Sequence, residues 1–68
     1  MRYMRYLFAF NDTDGCRWLK RALEADGIVS EIRTAHEFPD GKQGPELWVR
    51  DKDYDKARQT FEMLQSER

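Results

Sequence analysis

Between Tyr3 and Phe10 the side chains alternate in the two-residue period of a half-buried strand, with Met4, Tyr6, Phe8 and Phe10 on one face and Tyr3, Arg5, Leu7 and Ala9 on the other. This is a first predicted strand, β1, with the Met4/Tyr6/Phe8/Phe10 face toward the core. The period then lengthens. Cys16, Leu19, Ala22 and Leu23 recur at three- and four-residue spacing, flanked by Trp18 and Ala25, which predicts a helix, α1, over about 13–26. Asn11, Asp12, Thr13 and Asp14 supply side-chain acceptors for the free N–H groups at its start, and Gly27 is placed for a left-handed stop. Alternation returns over Ile28–Ala35 (β2), with Ile28 and Ile32 on one face and Glu31 and Arg33 on the other. Phe38–Pro45, with two Pro and two Gly, is predicted as a loop. Glu46–Arg50 is a third strand, β3, with Leu47 and Val49 inward and Trp48 outward. Asp51 and Asp53 offer caps for a second helix, α2, in which Tyr54, Ala57, Phe61 and Leu64 repeat at helical spacing to the end.

The order strand, helix, strand, strand, helix restricts the topology. A right-handed crossover makes β1 and β2 parallel, and the β2–β3 hairpin then inserts β3 between them. The expected fold class is α+β: a ferredoxin-like β-α-β-β-α sandwich lacking the last strand, with a three-stranded sheet and two helices on one face. Residues 1–68 form a single domain, since a second core needs a much longer chain. A core this small supplies about 3–5 kcal/mol of net stability, so association with a partner is plausible from size alone.

Composition narrows the function. Twelve Lys and Arg against thirteen Asp and Glu leave a net charge of −1, which argues against a general nucleic-acid binder. With one Cys and one His, the chain holds no intrachain disulfide, Cys/His zinc site or Cys-x-x-Cys pair. The longest apolar or aromatic run, Tyr6–Phe10, is far short of a membrane span or a signal peptide, so no membrane insertion is expected and a cytoplasmic location is the default. The last helical pattern meets no Gly or Pro stop, so a longer parent chain would continue from Gln65–Arg68.

Individual residues offer little chemistry. Cys16 is one turn into α1, where a helix N-terminus can activate a thiol, yet its spacing to Leu19 and Leu23 reads as packing. His36 beside Glu37 could act as a general base, but no nucleophile or oxyanion-hole motif accompanies it. Asn11–Gly15 looks like the opening of a calcium loop without the later ligands, and helix capping explains it better. The Phe38–Pro45 loop lacks a phosphate-cradling pattern and enters a strand. No catalytic residue, metal ligand or cofactor is expected.

The feature above this background is the sheet face away from the helices, expected to gather Arg5, Leu7, Arg33, Trp48 and Arg50 with Glu31 and Glu46. Exposed Trp and Arg mark binding hot spots. Equally, Trp48 can simply cover arginine stems while Glu31 and Glu46 pair the charges. The edge of β1 is a second candidate surface, for a protein partner or a homodimer through Tyr6, Leu7 and Phe8, because it has no Pro and few charges to block pairing.

Three segments carry a family resemblance: Leu23–Glu24–Ala25–Asp26–Gly27–Ile28, Glu46–Leu47–Trp48–Val49 and Asp53–Tyr54–Asp55–Lys56–Ala57–Arg58. In these the chain resembles a small bacterial putative signal-transducing protein family of unknown function. It is also similar to the cytoplasmic N-terminal domain of bacterial rhomboid intramembrane proteases, in the Gly-hydrophobic step into β2 and the Val-Trp-hydrophobic-acidic step out of β3. These motifs mark fold positions and carry over no functional residues. The resemblance implies a regulatory or signalling module.

The expected function is therefore a non-catalytic cytoplasmic binding or regulatory module acting through protein–protein contacts. Its rivals are a single-stranded nucleic-acid binder using the open sheet face and a small-ligand sensor with the Phe38–Pro45 loop as a lid.

Overall fold

The computed structural model describes residues 3–66, apart from the side chains of Ala35 and His36. These residues form an α+β fold of three strands and two helices: β1 (Met4–Ala9), α1 (Thr13–Ala25), β2 (Ser30–Glu37), β3 (Gln43–Arg50) and α2 (Tyr54–Ser66), with a 3-10 turn over Asp51–Asp53 before α2. The sheet order is β1-β3-β2, and β3 is antiparallel to both neighbours. As the pattern predicted, the last strand in sequence is the middle one in space.

Local chemistry accounts for the ends of α1. The Asp12 carboxylate accepts the Gly15 N–H at 2.7 Å, satisfying a donor that the first turn leaves free. At the other end Gly27 takes a φ of +77°, its N–H reaches the Glu24 carbonyl, and the Ile28 N–H reaches the Leu23 carbonyl. This is a Schellman stop, and its customary apolar contact is supplied by Leu23 and Ile28, both buried. The end of α1 is also tied to α2, since Asp26 accepts from Thr60 Oγ1 at 2.8 Å through its side chain and from Lys56 Nζ at 3.1 Å through its carbonyl.

A single core joins Leu7, Cys16, Leu19, Leu23, Ile28, Leu47, Val49 and Ala57, with Phe10, Ile32, Tyr54, Phe61 and Leu64 packed against it. Both helices thus pack on the side of the sheet that carries Leu47 and Val49, and Trp48, between them in sequence, turns to the opposite side.

The expected phase of β1 is wrong at Leu7. The register runs Tyr6↔Trp48 and then Phe8↔Leu47, so Leu7 is an extra residue, a β-bulge. The bulge puts two successive apolar side chains, Leu7 and Phe8, on the core side: Leu7 is 5% exposed, and the Phe8 ring lies 4.8 Å from that of Phe61 on α2. Before the bulge the alternation is reversed relative to expectation. Tyr6 faces the open side, edge-on to Trp48, while Arg5, opposite Val49, reaches the helix side, where its guanidinium lies over the Tyr54 ring at 3.7 Å.

The hairpin is also tighter than Phe38–Pro45. β3 begins at Gln43, and Pro45 lies inside this central strand. Proline removes a ladder donor, and opposite Pro45 the β2 register jumps from Arg33↔Glu46 to His36↔Gly44. On the other flank the Phe10 N–H donates to the Pro45 carbonyl at 2.9 Å. Gly44 is required by this approach, because a Cβ there would collide with the Phe10 carbonyl oxygen.

Candidate functional site

The open face of the sheet is built around Trp48. Its indole N–H donates to Glu46 at 2.9 Å, the Arg33 guanidinium lies over its ring at 4.0 Å, and Arg33 is held in turn by Glu31 at 3.1 Å. Tyr6 closes the other flank in an edge-to-face contact with a centroid separation of 6.2 Å. Of the five residues expected on this face, only Arg33 and Trp48 meet as a unit. Leu7 is in the core and Arg5 is on the helix side, where it also lies 3.4 Å from Asp51, both consequences of the bulge. Arg50 is engaged through Nε and Nη2 with Asp53, each at 2.8 Å. That contact also shows why Asp53 does not serve simply as a cap: its Oδ2 is held by the last residue of β3.

The Trp48 surface is consequently saturated by its own neighbours. A base stacking on the indole would have to displace Arg33, which Glu31 holds over the ring, and this disfavours the nucleic-acid platform. The hairpin loop is equally self-contained. Gly41 N–H bonds to the Phe38 carbonyl and Phe38 N–H to the Lys42 carbonyl, each at 2.9 Å, while Lys42 N–H bonds to the Asp40 side chain at 3.0 Å. These donors close the turn upon itself, so they are not presented to a phosphate.

The remaining candidates for chemistry resolve similarly. Cys16 is fully buried, and burial pushes its thiol above the ordinary value, with Lys20 offsetting only part of the effect. A helix-activated thiolate requires the opposite direction. Asp12 of the Asn11–Gly15 run caps α1, and among the described residues no group of three or more His, Cys, Asp or Glu is arranged to hold a metal ion. The His36 side chain lies outside the described residues.

A surface that periodicity did not reveal lies where the end of β1 meets the start of α1 and the last turns of α2. Phe8, Phe10, Trp18, Phe38, Phe61 and Leu64 line an open cleft of about 840 Å³. The rings form a chain, with Phe8–Phe10 centroids at 5.0 Å and Phe10–Phe61 at 6.5 Å, while Trp18 remains 47% and Phe8 38% exposed. Asp12 and Asp14 stand on its rim, and among the described residues no Lys or Arg lines it. The cleft adjoins β1, an edge strand whose only partner in the sheet, among the described residues, is β3. Unpaired backbone donors and acceptors thus run beside a row of half-exposed aromatic rings.

Comparison with known proteins finds no matching family model, no matching curated protein and no matching solved structure. Among the described residues, no helix is long and apolar enough to cross a membrane.

Proposed function

We propose that the chain is a non-catalytic cytoplasmic binding or regulatory module, a ferredoxin-like sandwich without its last strand, that acts through protein–protein contact at the β1 edge. The observation that carries this reading is the juxtaposition of an open sheet edge, Met4–Ala9, with the aromatic cleft lined by Phe8, Phe10 and Phe61. An extended segment added to such an edge gains main-chain hydrogen bonds, while alternate side chains enter the neighbouring cleft. In a ferredoxin-like order a fourth strand occupies this edge, and a partner strand would stand in its place.

The test is selection of random twelve-residue peptides against the full chain, followed by mapping of the winners by backbone amide shifts. Shifts concentrated on Met4–Ala9 and on Phe61–Leu64 are expected. Winners that map to Arg33 and Trp48, or a selection that yields none, would refute the β1 surface.

A further inference from the structure

We infer that the partner segment added at β1 carries an arginine whose side chain enters the aromatic cleft and sets its guanidinium against the half-exposed rings and the Asp12 and Asp14 carboxylates. The inference rests on the reading of β1 as a contact surface and goes beyond it by naming the chemistry of the occupant.

Twice elsewhere in the chain, a ring beside a carboxylate is filled by an arginine. On the helix side of the sheet Arg5 lies over the Tyr54 ring at 3.7 Å and reaches Asp51 at 3.4 Å. On the open side Arg33 lies over Trp48 at 4.0 Å and is held by Glu31 at 3.1 Å. A guanidinium gains from the ring face and the carboxylate together, and its planar, weakly hydrated shape suits both better than an ammonium does.

The cleft brings the same two kinds of partner together a third time. Asp14 and Trp18 stand one turn apart on α1 and both line it, together with Phe8 in β1 and Phe10 just beyond. Here, among the described residues, no Lys or Arg lines the surface. Asp12 uses one carboxylate oxygen to cap α1, and Asp14 makes no hydrogen bond or ion pair with any described residue. The α1 macrodipole contributes about half a positive charge at this end, which two carboxylates outweigh. A neighbouring hollow that shares Asn11 and Phe38 carries Lys42 with Asp40 and adds no net charge. The cleft therefore presents aromatic surface with an unmatched negative charge, and its complement is an apolar segment bearing a cation.

Strand geometry fixes where on the partner that cation falls. Side chains two residues apart in a strand share a face and lie about 7 Å from each other. On a strand paired with β1, a residue beside Phe8 on the helix side meets the rings of Phe8 and Phe61, whose centroids are 4.8 Å apart, and the residue two positions toward the end of β1 meets the acidic rim. The recognised pattern is an apolar residue and an arginine separated by one residue, the arginine first if the pairing is antiparallel and second if it is parallel. An acidic side chain at that position would face two carboxylates, and an apolar one would cover Asp14 without giving it a partner.

Random twelve-residue peptides selected against the full chain and mapped to Met4–Ala9 are expected to be enriched in arginine two residues from an aromatic or aliphatic side chain. One such peptide, labelled with a fluorophore, is then titrated by anisotropy against the wild-type chain and against Asp14→Asn, whose fold is checked by a thermal melt. Asp14→Asn, and glutamine in place of the peptide's arginine, are each expected to weaken binding about fivefold to tenfold. The two changes together are expected to cost little more than the larger of them alone, because both remove the same contact. The peptide change decides alone if Asp14→Asn alters the fold. Peptides that map to Met4–Ala9 without arginine enrichment, or that bind Asp14→Asn as tightly as wild type, would overturn the arginine and leave the β1 surface standing. A dimer in sedimentation equilibrium that the peptide dissociates would assign the cleft to a second copy and likewise overturn it. A selection that yields no peptide would refute the contact surface and the arginine with it.

Discussion

The bulge at Leu7 can be tested by comparing Leu7→Ala with Tyr6→Ala. Unbroken alternation makes Tyr6 the core residue and Leu7 a surface one, whereas the observed register reverses them, with Leu7 5% and Tyr6 42% exposed. Leu7→Ala removes three buried carbons, about 2.4 kcal/mol at about 0.8 kcal/mol each. A partly relaxed cavity raises this to about 2.5–3.5 kcal/mol, the lower half of the range for leucine truncations, since an edge strand can settle inward. Tyr6→Ala loses a partly exposed ring and its edge-to-face contact with Trp48, together about 1–2 kcal/mol. Against a total stability of about 3–5 kcal/mol, the first change leaves a marginal fold with little reserve and the second leaves it largely intact. With a urea dependence of about 1 kcal/mol per molar, the midpoints fall by about 3 M and about 1–2 M. The assay is urea titration followed by far-UV circular dichroism, which does not depend on the indole that Tyr6 touches. Leu7→Ala costing less than Tyr6→Ala would refute the bulge and restore plain alternation.

Two further predictions concern buried polar groups. The Cys16 thiol is raised by burial, so its contribution to stability is complete below the free-thiol value of about 8.5 and is lost as pH rises from there toward the folded value; in urea melts across this range, Cys16→Ala is expected to flatten the alkaline decline, and an unchanged slope would contradict the assignment. The Ser30 hydroxyl is buried with no hydrogen-bond partner among the described residues, so Ser30→Ala is expected to be neutral or to stabilise by about 1 kcal/mol, and a loss of that size in a thermal melt would contradict it.

Much of the architecture was legible because local signals and tertiary demands agree. Asp12 and Gly27 bound α1 through interactions within a few residues, and the Leu47–Trp48–Val49 alternation survives because β3 is paired on both sides. The errors fall where the backbone departs from period two. Nothing in Tyr6–Leu7–Phe8 distinguishes a bulge from regular alternation, since all three side chains are large enough to serve in a core. Pro45 and Gly44 signal a turn by residue type, yet here they allow a close crossing of β3 by Phe10. The aromatic cleft was invisible for a different reason: Phe10, Trp18, Phe38 and Phe61 come from separate parts of the chain, and only the fold brings them together. Arg50 was placed on the binding face by parity alone, while Asp53, three residues on, holds its side chain.

The position of β3 between two strands that precede it has a consequence for the order of folding. Arg33 finds Glu46 across one short hairpin, whereas Phe8 must find Leu47 across nearly the whole interval between the first and last strands. Closing the longer loop costs more chain entropy before any contact rewards it, so the hairpin is the natural early structure and β1 the late arrival. During synthesis the inequality becomes a wait. The segment Tyr6–Phe10 leaves the ribosome first and can join the sheet only after Val49 has emerged. For that interval the most aromatic stretch of the chain is an unpaired strand, and nascent chains on neighbouring ribosomes expose the same one.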